Sequence, residues 1–200
     1  MTAIICGIDE AGRGPLAGHV YAGAVILGDN FKIKFNSVFE MLNDSKKLSL
    51  EKRKQLEKEI KENALAWGIG LSTYEEIDKI NILQASLLAM KRAYITMIEE
   101  AANKNIVLPD SGISVIVDGN KTPDLPVPCT ALVKADMQVP EVMAASILAK
   151  TARDTYMEEM AKLYPQYLYE KHKGYPTKAH RELIKKYGPS PIQRISFSVS

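Results

Sequence analysis

Residues 4–15, IICGIDEAGRGP, join a short apolar run to two adjacent acids and a turn rich in Gly and Pro. The run at residues 4–8 has the apolar, β-branched composition of a buried strand. Asp9 and Glu10 follow it directly. Neighbouring side chains on an ideal strand point to opposite faces, so both carboxylates can reach one site only if the strand ends or bulges here. We therefore expect a break in the strand at this point.

Two further acids follow predicted core strands. Asp118 comes directly after the apolar run 113–117, and Asp136 lies shortly after the run 130–133. Acids gathered at strand ends repel one another, and divalent cations offset that repulsion. Carboxylate oxygens suit Mg²⁺ or Mn²⁺ better than zinc. The pattern indicates metal-assisted phosphodiester chemistry, although each acid taken alone also fits a turn former or a surface residue.

Composition places the chain among ordinary globular proteins. It has 200 residues, of which 46% are hydrophobic and 25% charged. No apolar run approaches the roughly 18 residues that cross a bilayer, and no signal-peptide pattern opens the sequence. Cys6 and Cys129 lie in predicted strands without metal-ligand spacing, which favours reduced thiols. We expect a soluble cytoplasmic protein without a membrane partner.

The charge is distributed unevenly along the chain. Residues 161–200 contain eight Lys and Arg against two Glu, a net charge of +6, so the first 160 residues carry −4 of the total of +2. An acidic body beside a basic lobe suits a polyanionic substrate held over a metal site. A solvated basic helix face explains the charge alone equally well.

The periodicity predicts strands alternating with helices. Strands are expected near residues 3–9, 20–27, 65–72, 113–118 and 129–134, and helices over 50–63, 81–104, 140–163 and 178–187, with a short helix after Thr73. Residues 164–177 are expected to form a loop, and those after 188 an extended tail. This order favours a mixed sheet with helices on both faces. The fingerprint GxGxxG is absent, which argues against a dinucleotide cofactor.

Three polar segments are candidates for substrate binding. The turn Gly12-Arg13-Gly14 can present successive backbone N–H groups to a phosphate or a sugar, or it is simply a turn. The segment Asp44-Ser45-Lys46-Lys47 precedes a helix, where its two cations can contact phosphate or stay solvated. Tyr175, among basic residues, can stack on a sugar or base, or pack on the domain. The three histidines lack ligand spacing and are interpreted as surface or supporting groups (His19, His172 and His180).

The sequence closely resembles bacterial ribonuclease HII, the endonuclease that cuts RNA strands paired to DNA. The matching segments run in order along nearly the whole chain: GIDEAGRGPLAG (7–18), NDSKKLS (43–49), INILQASLLAMKRA (80–93), VDGN (117–120), VKADMQVPEVMAASILAKTARD (133–154), YPQY (164–167), HKGYPTKAH (172–180) and SPIQRISF (190–197).

The resemblance implies a ribonuclease-H-like fold, a five-stranded mixed sheet flanked by helices with a small helical C-terminal element. It implies one structural unit, with a catalytic domain over residues 1–163 and a basic element over 164–200. It also implies that four acids bind two Mn²⁺ or Mg²⁺ ions and catalyse hydrolysis (Asp9, Glu10, Asp118 and Asp136). The choice between the two metals stays open.

The resemblance further assigns the substrate contacts. Gly12, Arg13 and Gly14 sense the ribose 2′-hydroxyl, Tyr175 stacks on the sugar after the ribonucleotide, and Lys46 lies near the scissile phosphate. The expected partners are RNA–DNA hybrids and duplex DNA containing single ribonucleotides, nicked on the 5′ side by a monomer during ribonucleotide excision repair. His19 departs from the family, which usually has proline there.

Two alternative functions differ from this one in their substrate or in their need for catalytic acids. A junction resolvase of the same fold would act on a four-way DNA junction, and a non-catalytic hybrid-binding protein would not need four converging acids. Ribonuclease HIII has a glutamate as its fourth acid and an extra N-terminal domain. Asp136, and a first strand at the start of this sequence, favour HII.

Overall fold

A mixed sheet forms the centre of the computed structural model, which describes residues 4–28, 49–108 and 112–199. The sheet has five strands, as the family resemblance implied, and their order is β3-β2-β1-β4-β5. Strands β1, β2 and β3 pair antiparallel, and β4 and β5 continue the sheet parallel to β1. The strands are β1 (Ile4–Ala11), β2 (Val20–Ile26), β3 (Ala66–Ser72), β4 (Ile113–Asp118) and β5 (Cys129–Leu132).

The predicted helices form with the expected caps. The Ser49 hydroxyl accepts a hydrogen bond from the Lys52 N–H, and Thr73 forms a capping box with Glu76. The expected boundary at Asn81 is a kink within one long helix, where Asn81 has φ 66°. The helices are α1 (Leu50–Asn63), α2 (Tyr74–Asn103), α3 (Pro140–Leu163), α4 (Tyr169–His172) and α5 (Lys178–Tyr187).

The two longest helices pack on opposite faces of the sheet, as predicted. A Cβ on Gly23 of β2 would lie 2.4 Å from the Ala145 carbonyl oxygen of α3, and one on Gly68 of β3 would lie 2.3 Å from the Met97 nitrogen of α2. Gly68 pairs with Ala24, so it faces away from the side that Gly23 faces. Glycine at these positions lets each helix backbone approach the sheet closely.

The break expected in the first strand lies just after the two acids: β1 ends at Ala11, and Gly12 follows with φ +105°. β1 keeps its pairing with β2 through Asp9, Glu10 and Ala11. The antiparallel ladder with β2 supplies hydrogen-bond partners past the two acids, so the chain gains by staying extended. The two acids therefore lie at the end of a paired strand, directly before the turn that begins at Gly12.

The C-terminal region is more ordered than predicted. The expected loop contains a 3₁₀ turn at Pro165–Tyr167 and the short helix α4. The expected extended tail bends back, and Gln193 forms an isolated bridge with Ala17. Aromatic packing of Tyr167 on Tyr169, with ring centroids 5.6 Å apart, organises this region. None of the helices in the described residues is long and apolar enough to span a membrane.

Candidate active site

Asp9 and Asp118 are neighbours on adjacent parallel strands. Ile8 of β1 pairs with Val117 of β4, so the residues after them lie side by side at the same edge of the sheet. Residues in register on parallel strands share a face, and this face is the one covered by α3. Two of the four predicted acids are therefore brought together by strand pairing alone.

Asp9 is buried in an environment that opposes its charge. Burial raises the pKa of its carboxyl well above the usual range, and the negative charges of Glu10 and Asp118 act in the same direction. The Ser146 hydroxyl of α3 hydrogen-bonds the carboxylate and partly offsets this effect. Ser146 was not predicted to have a role, because a serine within a helix carries no distinguishing pattern.

Glu10 carries an incompletely satisfied carboxylate. Its Oε1 accepts a hydrogen bond from Arg13 Nη1 at 3.3 Å, whereas its Oε2 is buried and has no hydrogen-bond partner among the residues that the structure describes. Burial raises the pKa of Glu10, and the positive charge of Arg13 opposes that shift. A buried oxygen without a donor is costly unless a cation or water binds it.

Asp136 lies in a 3₁₀ turn, Ala135–Met137, after β5. Asp118 supports that turn, because its Oδ1 accepts a hydrogen bond from the Ala135 N–H at 2.7 Å. A cavity of about 360 Å³ opens at this point. It is lined by residues from β1, α1, α3, the 3₁₀ turn and the C-terminal region (Glu10, Ala11, Gly12, Arg53, Asp136, Ser146, Ile147, Lys150 and Tyr175).

The donor chemistry of the four acids fits a divalent cation. All are hard oxygen ligands, and the buried Oε2 of Glu10, which no donor in the described part of the chain reaches, is suited to such an ion. Across the described ranges, however, no group of three or more His, Cys, Asp or Glu side chains is arranged to hold a metal. The four-acid metal site therefore stays a prediction.

Two buried arginines organise the predicted ribose-sensing loop. Arg194 donates to the carbonyls of Gly12 at 2.7 Å and Arg13 at 3.1 Å, and Arg153 of α3 donates to the carbonyl of His19 at 3.3 Å. Both side chains are fully buried. Neither arginine was predicted to have a role. For Arg194 the signal that could have found it is its place between Ile192 and Ile195, whereas Arg153 directly precedes an acid and has no such signal.

Tyr175 lies at the mouth of the cavity. It is 40% exposed, and its ring centroid is 5.9 Å from Lys150 Nζ and 5.6 Å from the Arg153 guanidinium carbon. Gly14 is its neighbour, since a Cβ there would lie 3.9 Å from the tyrosine ring. An exposed aromatic ring flanked by cations suits stacking on a sugar between phosphates.

The remaining candidates fall outside this cavity. Lys46 lies outside the described residues. His19 stacks on Tyr156, with ring centroids 4.4 Å apart, and accepts a hydrogen bond from the Tyr74 N–H. His172 and His180 are buried and stacked at 4.3 Å, so these two are not surface groups. They support the backbone before and at Tyr175: Nδ1 of His172 accepts from the Gly174 N–H, and Nδ1 of His180 donates to the Tyr175 carbonyl.

The chain is similar to ribonucleases over almost its whole length. The family model for ribonuclease HII matches residues 6–200. Ribonuclease HII of Vibrio parahaemolyticus is 51% identical over 194 residues, which cover 97% of this chain and 84% of the relative. The ribonuclease HII of Dechloromonas aromatica is 48% identical, with 97% and 90% covered.

Solved structures have the same fold. Ribonuclease H2 from Pyrococcus horikoshii superposes with a TM-score of 0.70 at 25% identity, covering 98% of this chain and 94% of that one. Bst-RNase HIII, solved in complex with Mn²⁺, gives a TM-score of 0.77 at 18% identity, covering 99% and 68%. The fold is ribonuclease-H-like, as the resemblance implied. Taken with the match over residues 6–200, these similarities show that the chain belongs to the ribonuclease HII family, and hence that it is a metal-dependent endoribonuclease.

Proposed function

We propose that this enzyme hydrolyses the RNA strand of RNA–DNA hybrids and nicks duplex DNA on the 5′ side of single embedded ribonucleotides. The products would carry 3′-hydroxyl and 5′-phosphate ends. Family membership supports the hybrid substrate. The observation that carries the finer proposal is the cavity shared by Glu10, Asp136, Gly12 and Tyr175. It sets candidate metal ligands beside a candidate ribose contact and a candidate stacking ring.

Each residue has a distinct part in this proposal. Asp9, Glu10, Asp118 and Asp136 would hold two divalent cations, Mg²⁺ or Mn²⁺. When bound, such ions supply an activated water and stabilise the leaving 3′-oxygen. The Gly12-Arg13-Gly14 loop would contact the ribose 2′-hydroxyl, and Lys46 the scissile phosphate. Tyr175 would stack on the sugar that follows.

Basic side chains of the protein would help to position the nucleic-acid strand, in addition to the metal ions. Lys150 and Arg53 line the cavity and pair with Asp154, at 2.6 Å and 3.3 Å respectively. Their charges favour a phosphodiester backbone across the mouth of the cavity.

We further propose that the protein is a monomer. Its catalytic domain at residues 1–163 and its basic element at residues 164–200 would belong to the same structural unit. Its cytoplasmic location is supported by the free thiols of Cys6 and Cys129.

The experiment uses a labelled duplex DNA with one ribonucleotide. With Mn²⁺ or Mg²⁺, we expect a single nick on the 5′ side of the ribonucleotide and a 3′-hydroxyl end that a DNA polymerase can extend. An all-DNA duplex and a four-way DNA junction serve as controls. Cleavage of the junction, or a nick elsewhere in the ribonucleotide duplex, would overturn the proposal.

A further inference from the structure

Arg194 makes an unusually complete set of hydrogen bonds with one loop. A guanidinium has five N–H donors, and here each has a carbonyl partner within residues 12–19. Nε donates to Gly18, Nη1 to Arg13 and Pro15, and Nη2 to Gly12 and His19; the distances, in the same order, are 2.8, 3.1, 2.8, 2.7 and 3.2 Å. The side chain is fully buried. The loop is therefore wrapped around the guanidinium.

The segment that carries Arg194 is itself fixed. Its own N–H donates to the Leu16 carbonyl at 2.8 Å, so backbone and side chain bind the same loop. On the other side, the Asp78 carboxylate of α2 accepts hydrogen bonds from the N–H groups of Ile195 at 3.0 Å and Ser196 at 2.9 Å. The guanidinium thus has a defined position between α2 and the loop.

Because peptide bonds are planar, these contacts also determine the direction of the N–H groups on the other side of the loop. In a trans peptide, the N–H points opposite to the carbonyl. Because the carbonyls of Gly12 and Arg13 point toward Arg194, the N–H groups of Arg13 and Gly14 point away from it. Both of those residues are exposed, and Gly12 lines the cavity. The two N–H groups are consequently available on the substrate side.

We propose that Arg194 is a positioning residue that orients the peptides of the Gly12-Arg13-Gly14 loop so that their N–H groups meet the ribose 2′-hydroxyl. The inference rests on the proposed function, since it requires a ribonucleotide at this loop. Arg194 does not touch the substrate. It acts by holding carbonyls inward, and so it decides how well ribose is distinguished from deoxyribose.

The test compares two affinities rather than one rate. Arg194→Lys keeps the charge but has three donors at one point, which cannot span five carbonyls. Binding is measured in Ca²⁺, to suppress turnover, for a duplex with one ribonucleotide and for the same duplex made of DNA. We expect the preference for the ribonucleotide to fall about tenfold, the size of one or two neutral hydrogen bonds, with affinity for the DNA duplex unchanged.

Two further variants make the result interpretable. Arg181→Lys is the matched control, because Arg181 also donates to a main-chain carbonyl, that of Val199 at 2.9 Å, but does not hold the loop. It should leave the preference unchanged. Asp78→Ala removes the carboxylate that binds the N–H groups of Ile195 and Ser196, so the segment that carries Arg194 is held less firmly. The preference for the ribonucleotide duplex should fall in this variant too, by a smaller factor.

Each outcome has a distinct meaning. If the wild-type protein neither prefers nor cleaves the ribonucleotide duplex, the proposed function itself fails. If the wild type does both and Arg194→Lys keeps the full preference, only the positioning role is overturned. Should Arg194→Lys not fold, Asp78→Ala decides: an unchanged preference overturns the role, and a reduced one supports it. An equal loss of affinity for both duplexes would mean general destabilisation and would also overturn it.

Discussion

The Arg153 side chain occupies the space where a Cβ on Gly12 would lie. A Cβ built there would be 2.3 Å from Arg153 Nε and 2.5 Å from its Cδ. Gly12 also has φ +105°, a conformation that L residues rarely adopt. The loop proposed to contact the ribose therefore packs closely against Arg153 of α3. Only glycine at position 12 leaves room for this contact.

Gly12→Ala should lose most of its activity. Either the loop or Arg153 must shift, and a displacement of about 1 Å near a reacting centre costs about a hundredfold in rate. Cleavage of the ribonucleotide duplex and thermal unfolding are the measurements. Gly188→Ala is the control, since Gly188 has φ +80° but no atom of the described residues would lie within 4 Å of its Cβ. It should cost about 1 kcal/mol of stability without affecting the specific rate, and equal activity losses in both variants would contradict the expectation.

Asp9→Asn should abolish cleavage and leave the fold intact. The substitution keeps the shape of the side chain but removes the charge that a divalent cation requires. It also removes a buried like-charge interaction with Glu10 and Asp118, so the unfolding temperature should not fall. Asp124→Asn changes an exposed acid paired with Lys91 and should leave the rate unaltered. Turnover of Asp9→Asn with either Mg²⁺ or Mn²⁺ would argue against the metal assignment.

Ser146→Ala should slow cleavage about tenfold, because Asp9 loses a hydrogen bond to its charged form. We expect the loss in kcat, with KM for the duplex nearly constant, since Ser146 supports a carboxylate and not the strand. Steady-state kinetics on the ribonucleotide duplex separate the two parameters. Ser86→Ala is the control, because Ser86 is a buried serine of α2 whose hydroxyl has no hydrogen-bond partner within residues 4–28, 49–108 and 112–199. A change confined to KM would show that Ser146 acts on binding instead.

Tyr175→Ala should make the position of the nick less precise and should change the stability of the fold little. The ring is 40% exposed, so its removal creates no buried cavity, but it takes away a stacking surface worth about 1–3 kcal/mol per base. Tyr175→Phe keeps the ring and should keep the wild-type pattern. Sequencing-gel mapping on a DNA–RNA–DNA strand gives the readout, and an identical pattern in all three proteins would exclude the stacking role.

His180 should make stability fall in acid. Burial, with the charge of neighbouring His172, lowers the pKa of His180 from 6.5 to about 4. The folded protein then holds His180 neutral while the unfolded chain protonates it below 6.5, so stability is present above pH 6.5 and is lost as pH falls toward 4. The maximal slope for one proton is about 1.4 kcal/mol per pH unit.

His180→Asn provides the comparison for that slope. Its amide can still donate to the Tyr175 carbonyl, but it does not titrate. Urea unfolding at pH 7.5 and pH 5 should show a smaller acid loss in the variant than in the wild type. The groups that face His180 include the Tyr169 ring and the imidazole of His172. Burial also lowers the pKa of His172, so some acid sensitivity should persist in the variant. Equal slopes would assign the acid loss to other groups.

Local chemistry determined most of the elements. Alternating apolar residues, the caps Ser49 and Thr73, and the proline at the start of α3 are contained in short stretches of sequence, and the structure forms the elements they predict. The family resemblance was confirmed because its motifs are spread over the whole chain. The exact end of β1 was not predictable locally, because the ladder with β2 extends the strand through Asp9 and Glu10 to Ala11, beyond the end expected near residue 9.

The sequence by itself determined which residue types this protein has for its chemistry: four acids near strand ends, a Gly-Arg-Gly turn and a tyrosine among cations. Only the tertiary structure decided how they meet. Val117 places Asp118 beside Asp9 through strand register, and Arg194, far along the chain, reaches the loop at Gly12. The physical reason is that hydrogen bonds and charge interactions act across space, between groups whose separation along the chain gives no local signal.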